Sequence, residues 1–209
     1  MSGPKRTALG RSSAFVSACA LVAGSGCATS PKVEYFTLEP TATHEVKLIA
    51  SEPVQVAQVH LPPTLDREQM VRYTGAYTLD ISDQHRWSAP LDQMVRRVLT
   101  EDLMRILSPA RVILPQEPAP AGTNRIVVDV VEFAPGASGA VKLDASWSLI
   151  PASAPDAPQS RYARFSEAAD PNDASDQVSA MSRILDRLAV EMARSLAEAG
   201  PAPPAAATR

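Results

Sequence analysis

The chain is poor in the residues on which most site chemistry is built. It has two cysteines, Cys19 and Cys27, three histidines and only 5% aromatic residues in 209. Two cysteines so placed build no CxxC-type redox or zinc framework. The histidines, His44, His60 and His85, are far apart and form no HxxxH pair, so they read as surface or structural residues rather than metal ligands. No GxSxG elbow, P-loop, GxGxxG fingerprint or EF-hand loop occurs. No apolar run approaches the roughly 20 residues that a membrane-spanning helix needs. These absences point away from redox, nucleotide-dependent and metal-dependent enzymes.

What is present is concentrated at the start. Lys5, Arg6 and Arg11 precede an apolar run over residues 14–23, then Gly24-Ser25-Gly26 and Cys27. A positive end, a short apolar core and small residues before a cut describe an export signal. The small residues before Cys27 resemble the lipobox of bacterial lipoproteins. That resemblance implies cleavage between Gly26 and Cys27 and acylation of the Cys27 thiol and its new amine. Gly24 departs from the pattern, which usually has an aliphatic residue there. Cys19, after Val16-Ser17-Ala18, is the competing site, but only residues 12–18 separate it from Arg11. With the cut at Cys27 the mature chain carries one cysteine, capped by lipid, and no internal disulfide.

Removing the leader changes the charge. Discounting Lys5, Arg6 and Arg11 leaves 17 basic against 23 acidic residues, a net charge of −6. Such a chain has no electrostatic reason to bind nucleic acid or an anionic surface. Attachment to a membrane would come from acyl chains, palmitate among them, and two or more such chains anchor stably. Ala28 follows the cysteine rather than the Asp that holds lipoproteins at the inner membrane in enteric bacteria, so the expected destination is the outer membrane.

The expected organisation is a leader over 1–26, a lipidated tether over 27–32, one domain over 33–199 and a disordered Pro/Ala tail over 200–209. Strands are expected at residues 33–38, at 54–61 with a bulge near Ala57, at 70–73 and 77–81 around a glycine turn, and at 111–114, 124–133, 141–149 and 161–167. The nearly continuous run Ile126-Val127-Val128 with Val130-Val131 predicts a central strand covered on both faces. Leu91, Met94, Val95, Val98, Leu99, Leu103, Ile106 and Leu107 repeat at helical spacing. Ser88 is the expected N-cap, Pro90 falls in the first turn and Ser108-Pro109 ends the helix. Glu101 and Asp102 are expected on its solvated side. A second helix after Asp173 carries Val178, Met181, Leu185, Leu188, Met192 and Leu196. The fold class is therefore α/β, a mixed sheet with two amphipathic helices packed on it.

Residues 60–72 hold two prolines, Asp66, Arg67 and Arg72 between two strands. One reading is a turn closed by an Asp66/Arg67 or Asp66/Arg72 ion pair; the other is an interaction site. Trp87 is either a core plug or an exposed anchor. Leu65, Arg67, Arg72 and Trp87 are the interface candidates, and no catalytic residue, metal site or cofactor is expected.

Taken in order, the lipobox, Tyr35-Phe36-Thr37-Leu38, Leu61-Pro62, Leu65-Asp66-Arg67, Gln69-Met70-Val71 and Arg86-Trp87-Ser88-Ala89-Pro90-Leu91, followed by Val98-Leu99 and Leu103, resemble the ABC-type transport auxiliary lipoprotein family, the PqiC/YmbA-like proteins. The resemblance implies a periplasm-facing, non-enzymatic lipoprotein. It would work with an MCE-domain protein and an inner-membrane ABC transporter in lipid transport and envelope integrity, either alone or as a homo-oligomer. A lipid-binding carrier and a secreted hydrolase without a known motif are the other classes the residues leave open.

Overall fold

The computed structural model describes residues 32–42, 50 and 52–198. The leader, the Gly26/Cys27 cleavage and acylation site, residues 27–31 of the tether, His44 and the 200–209 tail lie outside the described residues.

Eight strands and two main helices follow one another as β1 (Glu34–Phe36), β2 (Val54–His60), β3 (Gln69–Gly75), β4 (Thr78–Trp87), α1 (Leu91–Ile106), β5 (Val112–Ile113), β6 (Asn124–Pro135), β7 (Val141–Ile150), β8 (Gln159–Glu167) and α2 (Ala174–Glu198). The α/β reading with two amphipathic helices holds, and the strands divide between two mixed sheets. A five-stranded sheet has the order β5-β2-β6-β7-β8, and a three-stranded sheet the order β1-β4-β3.

The larger sheet is apolar on one face. On β7, Val141, Leu143, Ala145, Trp147 and Leu149 are buried, while the alternate residues are half-buried or exposed. The expected bulge in β2 is present: pairing with β6 shifts register between Val56 and Gln58, so Val54 and Val56 before it and Val59 after it all reach the core. The bulge leaves the Ala57 carbonyl without a regular ladder partner, and Arg96 of α1 donates to it at 3.1 Å. Gln55 is buried between the two inward valines, and its Nε2 donates to the Leu114 and Glu117 carbonyls at 3.0 and 2.9 Å.

β6 is central, but it is not covered on both faces as its composition suggested. Val131 is 63% exposed and Val127 half-buried. A register shift between Val130 and Glu132 reverses the inward phase, so Ile126, Val128 and Val130 face the core before it and Phe133 after it. The apolar run records a change of phase rather than two buried faces.

Both helices lie against the apolar side of the larger sheet and against each other, α1 touching β2 and β5, α2 touching β6, β7 and β8. Leu99 and Leu103 of α1 and Ile184, Leu185 and Leu188 of α2 are completely buried. Fully burying each such side chain stabilises the fold by about 2 kcal/mol before entropy is counted. On α2 the buried set also includes Ala180, Ala189, Ala193, Ser182 and Ser195, a wider stripe than its large apolar residues alone mark. Small residues on that flank let a second element approach.

The helix starts differ from each other. Asp173 caps α2, its Oδ1 accepting the amides of Ser175 and Asp176 at 2.8 and 3.1 Å. The expected Ser88 cap of α1 is not formed. Pro90 takes the cap position with no side-chain hydrogen bond, because the Ser88 amide is tied to the Phe36 carbonyl at 2.8 Å and the chain is still leaving the small sheet.

The β6–β7 turn ends on Gly139 at φ +84°, and a Cβ there would lie 2.3 Å from the Ala169 carbonyl oxygen and 2.6 Å from the Pro171 nitrogen. Both the dihedral and the backbone of the β8–α2 loop exclude a side chain. Gly139→Ala is expected to lower unfolding stability by at least about 2 kcal/mol in urea titration. Gly136→Ala, whose Cβ would meet nothing closer than 3.5 Å, is the control and should cost far less.

Candidate functional site

The sequence candidates separate once the chain is folded. The 62–68 turn closes on itself, with the Leu65 and Asp66 amides donating to the Pro62 carbonyl at 2.9 and 3.2 Å. That closure turns Leu65 into the core, where it is 3% exposed. Trp87 is also a core residue, 6% exposed. Neither is a surface anchor. The anticipated Asp66 ion pairs are not among the described salt bridges. Arg72 instead spans from β3 to the β8–α2 loop and across the hairpin, donating to the Pro171 carbonyl at 2.9 Å and to Asp80 at 3.3 Å. Both of its terminal nitrogens are thus committed to holding the fold. Glu68 pairs with Arg86 at 3.4 Å.

Arg67 is the candidate left for contact. It lines a groove of about 400 Å³ with Tyr35, Glu68, Trp87, Pro90 and Leu91, where β1, the 62–68 turn and the start of α1 meet. Its Nε is buried without a hydrogen-bond partner. A buried guanidinium N–H without a partner costs on the order of 1–3 kcal/mol, and Arg86 Nε shares that state. Tyr35, 66% exposed, stands beside it. Tyrosine and arginine are among the residues enriched at the energetic centre of protein interfaces. Tyr35 had been legible only as a strand residue. Its exposure follows from the edge position of β1 in the small sheet.

The other titratable groups with altered character lie elsewhere. Asp102, expected on the solvated side of α1, is fully buried. Residues 38–42 cover that side, and the Ala42 amide donates to Asp102 Oδ1 at 3.0 Å. Burial pushes its carboxyl up to about 6, an effect opposed by the Ala42 amide and Arg105 and reinforced by Asp186 and Glu101. Asp144, on the outer face of the larger sheet, is held below the usual carboxylate range chiefly by the Tyr162 hydroxyl and then by Arg164, whose Nη2 lies 2.9 Å away. The Tyr162 hydroxyl is raised in turn by the carboxylate. His60 Nδ1 lies 2.8 Å from Asp129 Oδ1 across β2 and β6. His85 meets Phe36 edge-on with ring centroids 5.5 Å apart. Among the described residues no three His, Cys, Asp or Glu side chains converge as metal ligands do.

Comparison with known proteins places this domain. A family model described as "ABC-type transport auxiliary lipoprotein component" matches residues 36–193. Two crystal structures share the fold. One is of an uncharacterized protein, 19% identical, covering 79% of this chain and 99% of its own with a TM-score of 0.65. The other is a Xanthomonas campestris protein of family DUF330, 13% identical, covering 78% of this chain and 95% of its own with a TM-score of 0.62. At those identities they speak to the fold alone. No curated protein matches the chain.

Asp102 gives a pH dependence with a definite sign. An acid whose folded value is raised stays protonated in the fold at pH values where it has ionised in the unfolded chain. Its contribution is therefore complete below 3.8 and is lost as pH rises towards about 6. The loss is on the order of 3 kcal/mol. Asp102→Asn keeps an acceptor for the Ala42 amide and should flatten that part of the profile. Urea unfolding at pH 4 and pH 7 checks it, and an equal loss in both proteins would show that the slope originates elsewhere.

Proposed function

Because the chain belongs to the family of ABC-type transport auxiliary lipoprotein components, we propose that it is a membrane-anchored, periplasm-facing docking subunit of an MCE/ABC-type lipid transport system. Cys27 carries the acyl chains, palmitate among them, and Ala28 after it directs the protein to the outer membrane. The domain engages an MCE-domain protein and, through it, the inner-membrane ABC transporter. Transport between the two membranes and envelope integrity then depend on this contact.

The observation that carries the reading is the extent of the family match, which takes in nearly the whole described domain from β1 to α2. The anchor rests on the leader and lipobox pattern around Gly26 and Cys27. No helix among the described residues is long and apolar enough to cross a membrane, which is compatible with attachment by lipid. The placement of the perturbed groups favours docking over catalysis. Asp102 is sealed between two helices and the segment that covers them, and Asp144 is neutralised by Tyr162 and Arg164 on an open sheet face. Neither lines the Arg67 groove. The Tyr35/Arg67 groove supplies the contact surface in place of the four-residue set expected from sequence. Self-association is compatible with this role, since a ring of copies would present several grooves to one assembly.

Tethering adds affinity without new contacts, because a partner near the leaflet meets the domain at a high effective concentration. Two outcomes follow. Cys27→Ala is expected to leave the thermal transition of the domain unchanged and to move the protein from the membrane to the soluble periplasmic fraction; retention in the outer membrane fraction would refute the anchor. Arg67→Glu, in an otherwise native acylated chain, should keep the protein membrane-bound and reduce recovery of the MCE-domain protein in pull-downs by at least about tenfold. Undiminished recovery would remove the groove from the interface.

A further inference from the structure

The β3–β4 hairpin carries exposed apolar surface that docking at the Arg67 groove does not use. Tyr77 is completely exposed at its turn, and Leu79 and Ile81 behind it are 39% and 42% exposed. From Tyr73 to Leu79 the arm holds no charged residue, and the charges that flank this stretch in sequence, Arg72 and Asp80, are paired with each other at 3.3 Å. The turn lies beside the β6–β7 turn. Tyr73, Gly75, Ala76, Val131, Gly136 and Ala137 line one open groove of about 470 Å³ together with the charged Glu132 and Lys142. The apolar surface is that of the arm itself, Tyr77 with Leu79 and Ile81 behind it, and Glu132 and Lys142 flank it on the side of the β6–β7 turn.

The direction of β1 relates this end to the anchor. β1 runs parallel to β4, with Tyr35 opposite Arg86, and Arg86 in turn faces Gln69 of β3. The chain therefore enters β1 from the side on which the hairpin projects. From the Gln69 rung to Gly75 is six residues of strand, about 20 Å. From Tyr35 back to Cys27 is eight residues, which span at most about 29 Å however they run. An acylated Cys27 thus holds the Tyr35 rung within a distance of the leaflet that the hairpin nearly covers by itself.

We propose that the β3–β4 tip, with Tyr77 foremost, rests in the interface of the bilayer leaflet that holds the acyl chains, giving the domain a second, non-covalent foothold. Tyrosine suits that layer because its ring is apolar and its hydroxyl stays wet. The mature chain is acidic, so the foothold is apolar rather than electrostatic. Two attachment points turn a tethered domain into an oriented one, with the helix pair and the Arg67 groove held at a fixed inclination to the membrane. This inference rests on acylation of Cys27, and the experiment separates the two.

The full acylated chain is reconstituted in phosphatidylethanolamine/phosphatidylglycerol vesicles containing phosphatidylcholine that bears a shallow nitroxide quencher. Tyr77→Trp is compared with Tyr162→Trp on the outer face of the larger sheet, against the background of Trp87 and Trp147, which are 6% and 3% exposed. Both positions are exposed, but Tyr162→Trp gives up the hydroxyl's bonds to Asp144 and Arg164, so the melting transition of each variant is measured and quenching is compared well below both. Quenching of the Tyr77→Trp emission at least about twofold greater than for Tyr162→Trp, with a shift to shorter wavelength, is expected. Equal, weak quenching in protein that floats with the vesicles would overturn the foothold while leaving the anchor intact. Protein that does not float overturns both.

Discussion

Residues 37–42 have no regular secondary structure, yet both helices hold them. An extended segment exposes its backbone groups in pairs, and each must find a partner once it is covered. Here the partners are side chains. Arg97 and Arg105 of α1 donate to the Leu38 and Pro40 carbonyls, and Asp102 accepts the Ala42 amide. Ser182 of α2 accepts the Glu39 amide, and the Thr41 hydroxyl donates to the Ser182 carbonyl. The strap closes the two helices from outside while Leu38 and Ala42 reach the core beneath it. Its upstream end is β1, so the first strand of the described domain leads directly into the piece that clasps the helix pair. Any load on the N-terminus passes first into β1 and its parallel pairing with β4, then into this strap.

Side-chain period made most of the elements legible. The alternation on β7, the three-and-four spacing on α1 and α2, and the opposite phases of Val54/Val56 and Val59 each translate into an observed face. What composition could not give was the effect of neighbours. Val131 looked like one more buried valine, because a run of apolar residues carries no mark of where a bulge will reverse its phase. Asp102 looked like one member of a charged pair on a wet flank, because nothing in its own helix announces that the strap lies across it. The candidate site shows the same division. Arg67 is left half-buried at the groove and Leu65 is turned inward by its own turn, but Trp87 and Arg72 are decided by residues elsewhere in the chain, Arg72 being taken by Pro171.

The two sheets place their apolar residues for different ends. In the larger sheet one face is closed by the helices, and the other is wet, with Asp144, Tyr162 and Arg164 satisfying one another across β7 and β8. In the small sheet Met70, Val71 and Trp87 are buried near its base while Leu79, Ile81 and Tyr77 are left open along the arm. Burial of those three would need a third layer that the described residues do not supply. An isolated two-stranded arm is marginal by itself, and Arg72 provides its brace: one guanidinium crosses to Asp80 within the hairpin and to Pro171 in the body.

Under the function proposed above, that brace bears on how a docking module can act at a distance from its lipid. An acyl chain alone fixes position and leaves orientation free, so a binding groove would sweep through many directions before meeting a partner. A stiff arm in the same layer, as proposed, would remove that freedom, and the loss of rotational entropy would then be borne before the partner arrives rather than on binding. The requirement is mechanical continuity from arm to groove. The structure has it: β4 runs from the open hairpin to Trp87, one of the residues that line the Arg67 groove, and the next residues, Ser88 to Pro90, lead directly into α1.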